Sequence, residues 1–324
     1  MLTKLNKISF EGDVKKDKDI SAIVSFGNFL AIGSDESKRK IQILEQKQSD
    51  CYEVKDKLEI ALPVLSEQED QEIDIEGMSI SNGNTLFIVG SHSLKRLKTD
   101  KKTYLSNRER ITRVIREDKK NSIFKLTIDP QTGEEKDQSE RKIIRIKEII
   151  ENDSILGIFS QIPSKENGVD IEGIASDDDN VLYLGFRGPV LRGNYVPVMV
   201  IEDFTKVSDY KLLFVDLGGY GIRDLCKVQG GFLIIAGPVG DGVGDYKLYF
   251  WNGVDSIPGT DKPQKTERSL LGKITLDDEN SKAEGITLLE ETDDIYKFII
   301  VYDGVKNGDA TVFQVDKSIL KPTS

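Results

Sequence analysis

Glutamate followed by glycine recurs at the same point of three similar phrases. The phrases are DIEGMS, DIEGIA and AEGIT, and their carboxylates belong to Glu76, Glu172 and Glu284. Carboxylate oxygens that converge on one point suit Ca²⁺ or Mg²⁺. Zinc is disfavoured, because one histidine and two cysteines are too few for a usual tetrahedral site. A hard-cation site on the three glutamates is therefore one hypothesis for this pattern.

A second group of candidates stands at the ends of predicted apolar strands. His92 is the only histidine, so any histidine-dependent acid or base step must use it. The alternative is a hydrogen-bonded histidine in a turn. Ser91 and Ser93 flank it. Arg187 in GFRGP and Arg192 could bind a phosphate or carboxylate with their guanidinium forks, or could pair with one of the glutamates instead.

The elements that must carry these residues form a repeat. Each Glu-Gly is followed by a short strand, a polar turn and an apolar strand, and weaker copies begin near residues 19 and 221. All five units add a third strand and four add a fourth, among them RKIIRIKEII at 141–150. The N-terminal TKLNKISFEG stands where the fifth unit needs its fourth strand. The repeat predicts an all-β fold, a five-bladed β-propeller of four-stranded antiparallel blades closed by the N-terminal strand.

The number of blades has one alternative. The interval from 74 to 170 is the longest between units and could hold a sixth blade. It contains no second apolar strand of the LFIVGS type, which favours five. In either case residues 1–324 are interpreted as a single domain.

Alignment of the units places one side chain from each first strand at one level around the axis. Strand side chains alternate, so each glutamate shares its face with apolar neighbours, and a desolvated carboxylate needs a partner or a proton. The following glycine removes a side chain where inner strands crowd or where φ is unusual. The ring could hold a cation, or its glutamates could accept backbone N–H groups of the neighbouring blade while the arginine neutralises one of them. The five residues are Ser21, Glu76, Glu172, Arg223 and Glu284.

The charge is distributed unevenly. A net charge of −11 argues against nucleic acid as a partner, but residues 95–120 carry eleven Lys and Arg against four Asp and Glu. A capping-box pattern begins at Ser106, and Ile111, Val114 and Ile115 follow at helical intervals, so this insert within the second blade is predicted to be partly helical. It is either a solvated excursion from a loop or a docking arm for an acidic partner or a lid over an anionic ligand.

Two further patterns bear on location. The first residues contain no apolar run of signal-peptide length, and no stretch approaches the roughly 18 apolar residues of a membrane span. The two cysteines, Cys51 and Cys226, are far apart in the chain and do not resemble a secreted disulfide framework. These patterns predict a soluble, cytoplasmic protein without a membrane partner.

Short motifs also carry a resemblance. IEG, SHS, GFRGP and the final EG are similar to those of a bacterial family, frequent in cyanobacteria, that is catalogued as a domain of unknown function within the β-propeller group, over about residues 20–315. More remotely, the repeated IEG resembles the esterase-like phytase propellers, which implies phosphoester chemistry with acidic metal ligands. This chain differs from them in lacking a secretory signal and a rich set of acidic ligands.

Two functional hypotheses follow. In the first, the channel mouth binds a small anionic or phosphorylated ligand, aided by a divalent cation on the glutamates, and a metal-dependent phosphoester hydrolysis would use His92 as general acid or base. In the second, the propeller is a non-enzymatic platform for protein–protein interaction. The residues leave open whether the protein is an enzyme. The candidate ligand-binding residues are Ser91, Ser93, Arg187, Arg192 and Arg223.

Overall fold

Short strands dominate the structure. The computed structural model describes residues 2–36, 39–63, 73–116, 121–242 and 244–320. The first strands in chain order are β1 (Leu2–Lys7), β2 (Ser9–Glu11), β3 (Ile20–Phe26), β4 (Phe29–Ser34), β5 (Lys40–Gln48), β6 (Cys51–Ala61), β7 (Ile75–Ser81), β8 (Thr85–Gly90), β9 (Leu94–Arg96), β10 (Val114–Arg116), β11 (Ile123–Thr127) and β12 (Lys142–Ile144). The remaining strands are β13 (Asp170–Ser176), β14 (Leu182–Gly188), β15 (Tyr195–Ile201), β16 (Lys211–Asp216), β17 (Gly221–Val228), β18 (Gly231–Gly237), β19 (Tyr246–Trp251), β20 (Arg268–Ile274), β21 (Lys282–Glu291), β22 (Ile295–Asp303) and β23 (Thr311–Asp316). The α-helices of the described residues are α1 (Tyr104–Arg110) and α2 (Lys147–Asn152).

Five sheets correspond to the five predicted units. Blade 1 contains β3 to β6, blade 2 contains β7, β8, β11 and β12, blade 3 contains β13 to β16, blade 4 contains β17 to β20, and blade 5 contains β21 to β23 with β1. The innermost strands β3, β7, β13, β17 and β21 contact one another in a closed cycle. The fold is therefore a five-bladed β-propeller, as predicted, and the six-bladed alternative is wrong.

The N-terminal segment closes the ring as predicted. Strand β1 pairs antiparallel with β23, with Leu2 opposite Val315 and Lys7 opposite Thr311. The rest of TKLNKISFEG has another place, because β2 pairs in parallel with β6 and adds a fifth strand to blade 1. The short segment therefore ties blade 5 to blade 1.

The second strand of each blade reads as a continuous apolar run because both of its faces are covered. Every residue of β18 is buried, and so is every residue of β4. In β8 the alternation divides the side chains between two interfaces, with Leu86 and Ile88 towards blade 1 and Phe87 and Val89 towards blade 3. Apolar clusters of this kind fill all the interfaces between neighbouring blades. Burial of this apolar surface fixes the inner strands around the axis.

The predicted fourth strand of blade 2 is corrected. RKIIRIKEII is not one strand, because β12 ends at Ile144 and α2 begins at Lys147. In α2 the spacing of Ile146 and Ile150 suits one helix face, and both side chains are buried. The alternation of polar and apolar residues in RKIIRI favoured a strand and did not reveal the change to the helical period after Ile144.

The predicted basic insert leaves blade 2 after β8 and returns at β11. Thr103, not Ser106, caps α1, and its hydroxyl accepts the backbone N–H of Ser106 at 3.3 Å. Val114 and Ile115 belong to β10, which pairs with β9, and so they do not continue the helix. Residues 117–120 of the predicted insert lie outside the described part of the chain. No helix among the described residues is long and apolar enough to cross a membrane.

Candidate functional site

The start of each inner strand lies beside the end of the second strand of the same blade. Antiparallel pairing brings Ile20 opposite Ser34 and Ile75 opposite Gly90, and it does the same in the other three blades. We call the side of the propeller where these ends meet the top face, and its centre the mouth. The predicted candidates all belong to segments at this face, because they follow second strands or begin first strands.

A β-bulge occurs at the ring position in every blade. The pairing of first and second strands shifts between the residues on either side of that position. A bulge leaves one residue outside the ladder and turns its side chain away from the regular alternation. The repeated phrase therefore corresponds to a bulge that directs one side chain of each blade towards the mouth. The bulge residues are Ser21, Glu76, Glu172, Arg223 and Glu284.

The glycine after each ring glutamate is required by crowding. A Cβ at Gly77 would lie 2.9 Å from the carbonyl oxygen of Glu172, and one at Gly173 would lie 2.5 Å from Leu225 Cδ2. A Cβ at Gly285 would lie 3.1 Å from the backbone nitrogen of Ile23. None of these glycines has a positive φ. Close approach of the next inner strand, and not an unusual φ, explains why glycine follows the ring glutamate in three blades.

Blades 3, 4 and 5 contribute a network of ion pairs that we call the paired half of the mouth. Arg223 Nη1 lies 2.8 Å from Glu172 Oε2, and its Nη2 pairs with Glu284 Oε1. Arg187 Nη1 lies 2.7 Å from Glu172 Oε1, and its Nη2 pairs with Asp170. All five side chains are buried. Of the two alternatives for the arginines, pairing with ring glutamates is therefore the arrangement found. Arg223 pairs with two of these glutamates.

Blades 1 and 2 contribute Asp35, Asp74 and Glu76 to the other half of the mouth, which we call the open half. Among the described residues, no hydrogen bond or ion pair joins Glu76 or Asp35 to another side chain, and Asp35 Oδ1 is buried without a hydrogen-bond partner. Asp74 accepts a hydrogen bond from Ser91 Oγ at 2.9 Å. The backbone of Asp74 has φ of 58°, a left-handed conformation that costs energy for a non-glycine residue. Ser21 occupies the ring position of blade 1, and its hydroxyl donates to the carbonyl of Ile75.

Burial and mutual repulsion make these carboxylates weak acids. Burial, then the charges of Asp74 and Glu172, raises the pKa of Glu76 well above its usual range. Burial, then the charges of Glu284 and Asp303, raises the pKa of Asp35 to about 8. In the paired half, burial raises the pKa of Glu284 to about 7 although Arg223 opposes the shift. Burial also disfavours the charge of Arg223, but its two carboxylate partners outweigh that cost and raise its pKa.

One structural role that the sequence suggested for the glutamates is carried by Asp224. This residue stands in blade 4 where the other blades have glycine or alanine. Its carboxylate accepts the backbone N–H of Ile286 in blade 5 and of Leu225, each at 2.8 Å, and also bonds the N–H of Ile174 in blade 3. Burial raises the pKa of Asp224 well above its usual range. Backbone groups of three neighbouring inner strands thus meet at one buried carboxyl group.

His92 lies in another environment. Its Nδ1 is 2.6 Å from the carbonyl oxygen of Gly90, so Nδ1 carries the proton and donates it, and no described residue forms a hydrogen bond with Nε2. Burial lowers the pKa of His92 to about 4, so the ring is neutral at pH 7. It lines a cavity of about 30 Å³ with Lys147 and Glu151, and no ring residue lines that cavity. A space of this size is large enough to hold water.

The remaining candidates are placed as follows. Ser93 Oγ donates to Ser91 Oγ at 3.0 Å, which extends the hydrogen bonding of Asp74. Arg192 is exposed in the turn between β14 and β15, and within the described residues it has no ion pair with the mouth. The described part of the chain contains no group of three or more His, Cys, Asp or Glu side chains arranged to hold a metal ion.

The candidates chosen from the sequence do not include four acidic residues of the mouth, namely Asp35, Asp74, Asp170 and Asp303. Asp74 and Asp170 precede Glu76 and Glu172 by two positions in the same repeated phrase DIEG. Because strand side chains alternate, a matching pair two residues apart was a usable signal. Asp35 stands just after β4, at the second-strand end where the candidates Ser91 and Arg187 stand in their blades.

Comparison with families of known sequence gives one match. A family model described as "Protein of unknown function (DUF3616)" matches residues 19–313. No curated protein matches the chain.

Several solved structures are similar to this chain at low sequence identity. A mannose phosphorylase from Leishmania mexicana has 10% identity and a TM-score of 0.42, with 97% of this chain and 88% of that chain covered. A GH43 endo-arabinanase from Bacillus licheniformis has 12% identity and a TM-score of 0.42, covering 94% and 96%. An exo-β-1,3-galactanase from Phanerochaete chrysosporium has 9% identity and a TM-score of 0.46, and the alignment covers 98% of this chain and 64% of that chain. Such distant likenesses carry no information on activity.

Proposed function

The chain belongs to the family of proteins of unknown function DUF3616, and because that family has no assigned activity, we propose a function from the mouth itself. The proposal is that the open half binds a small organic cation, an ammonium or guanidinium compound, between Asp35 and Glu76. The observation that carries it is the pair of desolvated carboxylates that form no ion pair within the described part of the chain.

The balance of charge supports a cation. The mouth brings together the carboxylates of Asp35, Asp74, Glu76, Asp170, Glu172, Glu284 and Asp303. Against them stand three cationic side chains, Arg187, Arg223 and Lys282, each of which pairs with a carboxylate of this group. An excess of buried negative charge is unfavourable until a cation or a proton compensates it.

The same contacts disfavour the direct binding of an anion that the sequence suggested. Both buried guanidinium groups already hold carboxylates, so a phosphate would have to displace Glu172 or Asp170. A divalent cation would find two free carboxylates, whereas Ca²⁺ takes six to eight oxygen ligands. His92 lines a separate cavity, so the proposal concerns binding and includes no catalytic step.

The test is calorimetric titration and thermal unfolding with defined probes. We expect putrescine or agmatine to bind and to stabilise the fold, by about 2.7 kcal/mol at a hundred times the dissociation constant, while Ca²⁺, Mg²⁺ and inorganic phosphate do not. The substitutions Asp35→Asn and Glu76→Gln should abolish binding. Glu290→Gln removes an exposed carboxylate far from the mouth and serves as the matched control.

The affinity should also depend on pH. A cation requires the ionised carboxylate, and Asp35 is largely protonated below its pKa of about 8. The association constant should therefore rise between pH 6 and pH 9, by up to about tenfold per unit for each proton displaced. The proposal would be contradicted by binding that is independent of pH or by binding of phosphate instead of the amines. It would also be contradicted if Asp35→Asn and Glu76→Gln bound the amines as tightly as the wild type.

A further inference from the structure

The insert between β8 and β11 projects from the top face, beside the mouth. It leaves blade 2 at Gly90 and returns at Ile123, which pairs with Val89 at the same end of the sheet. We call residues 95–116 the arm. The arm carries nine Lys and Arg against two Asp and Glu, a net charge of +7, so that the total of −11 leaves −18 for the rest of the chain.

Helix α1 of the arm has one face that packs against the arm and one that does not. Arg110 donates to the carbonyl of Lys98 and lies 3.1 Å from Asp100, which anchors the inner face. Tyr104, Arg108 and Ile111 follow at i, i+4 and i+7 and so share the outer face. None of the residues of α1 is buried.

The outer face combines apolar surface with an unpaired charge. Tyr104 is 74% exposed, the adjacent Leu105 is 77% exposed, and Ile111 is 45% exposed. Arg108 between them is exposed and has no ion pair within the described residues. Tyrosine and arginine are enriched at the energetic centre of protein interfaces. Single exposed apolar residues are ordinary, but three on one short helix mark a contact surface.

The arm itself is held in place. Arg96 Nη2 donates to Glu166 Oε2 at 2.9 Å, and Arg116 donates to Gln161, so both strands of the arm are fixed to the segment that leads into blade 3. A surface that is already positioned loses little conformational entropy when a partner binds. The partner must be acidic to complement the arm.

We propose that the partner is a second copy of this chain, docked top face to top face, with the arm of each copy over the open half of the other's mouth. Arm and mouth lie on the same face, so a two-fold axis between the copies allows both contacts at once. Arg108 then provides the guanidinium group that meets Asp35 and Glu76. The inference rests on the proposed function, because it assigns the natural occupant of that cation site.

The experiment is sedimentation velocity over a wide range of concentration, in low and in high salt. We expect a dimer whose dissociation constant is about tenfold higher in high salt, because the contact joins opposite charges. Arg108→Ala and the pair Tyr104→Ser with Leu105→Ser should yield monomers. The controls are Lys206→Ala, an exposed cation on the opposite face, and Leu270→Ser, an exposed leucine of β20.

Calorimetry separates this inference from the proposed function. In the Arg108→Ala monomer, agmatine should still bind, and Glu76→Gln should lose both the dimer and agmatine binding. Agmatine binding by a wild-type monomer would overturn the dimer and retain the site. A dimer whose dissociation constant is unchanged by Arg108→Ala would also overturn the inference. A monomeric wild type whose arm binds phosphatidylserine vesicles would overturn it in favour of a lipid surface.

Discussion

In the paired half of the mouth, Arg223 reaches carboxylates from the blades on both sides, whereas Asp35 and Glu76 of the open half form no ion pair with any residue that the structure describes. Both halves use the same bulge at the same repeat position. What differs is whether a neighbouring blade supplies a guanidinium. A glutamate at one repeat position therefore joins a network of ion pairs in one half, and in the other half it has no such pair among the described residues.

The largest effect should come from removing the cation of the paired half. Arg223→Met leaves Glu172 and Glu284 buried without this partner, and we expect the free energy of unfolding to fall by about 3 kcal/mol, with the loss growing as pH rises. Urea unfolding of this variant against Arg192→Met, an exposed arginine on the same face, measures it. Equal stability of the two variants would contradict a distinct paired half.

A smaller loss should follow when the glycine behind the ring is filled. In Gly173→Ala the new Cβ would lie 2.5 Å from Leu225 Cδ2 and 3.1 Å from Asp224 Cα, so blades 3 and 4 must separate slightly. We expect a loss of about 2 kcal/mol. Gly242→Ala, where a Cβ would meet nothing within 4 Å, is the control. A Gly173→Ala variant as stable as this control would show that the inner strands are not closely packed there.

In the open half, removal of a carboxylate should stabilise the fold. The pKa of Asp35 is about 8 in the folded state and near 4 when unfolded, so the folded state holds the extra proton between these values. Stability is then fully present below pH 4 and falls as pH rises towards 8. Asp35→Asn should raise the free energy of unfolding at pH 8 by about 1 kcal/mol and flatten this dependence. A variant less stable than wild type at pH 8 would indicate an unseen partner.

The smallest effect concerns His92, outside both halves. Its pKa of about 4 lies below the usual 6.5, so its contribution to stability is present above pH 6.5 and is lost as pH falls towards 4. His92→Asn suits the φ of 53° and should flatten the acid side of the profile. At pH 7.5 it should cost about 1 kcal/mol for the bond to Gly90. Agmatine binding should not change, and a loss of binding would place His92 in the site after all.

The architecture was predictable because a repeat states its period. Five copies of one strand pattern predict five blades, and alignment of the copies predicts which side chains share a level. Blade 2 was harder to predict locally, because Ile143, Ile144, Ile146 and Ile150 fit a strand and a helix until packing selects between them.

The chemistry of the mouth was less predictable. The ring residues and the possible pairing of Arg187 with a glutamate were identified, but the sequence does not say which glutamate Arg187 meets or that Asp35 lies beside Glu76. The bulge also escaped detection, because it is a shift in pairing and leaves no residue type of its own. Asp224 stood in the glycine column of the alignment, and only the structure shows that the space there is filled by backbone N–H groups.

Pairing of β1 with β23 determines when the ring can be completed. Blades 1 to 4 are each built from one continuous part of the chain, so each can assemble locally, whereas Leu2 must pair with Val315. Contacts between such distant segments form slowly. Until they form, β23 presents an open edge to other chains, and β1, which is synthesised first, must wait for the last blade. We expect ring closure to be the slow step of folding and the interval in which the protein is most prone to aggregate.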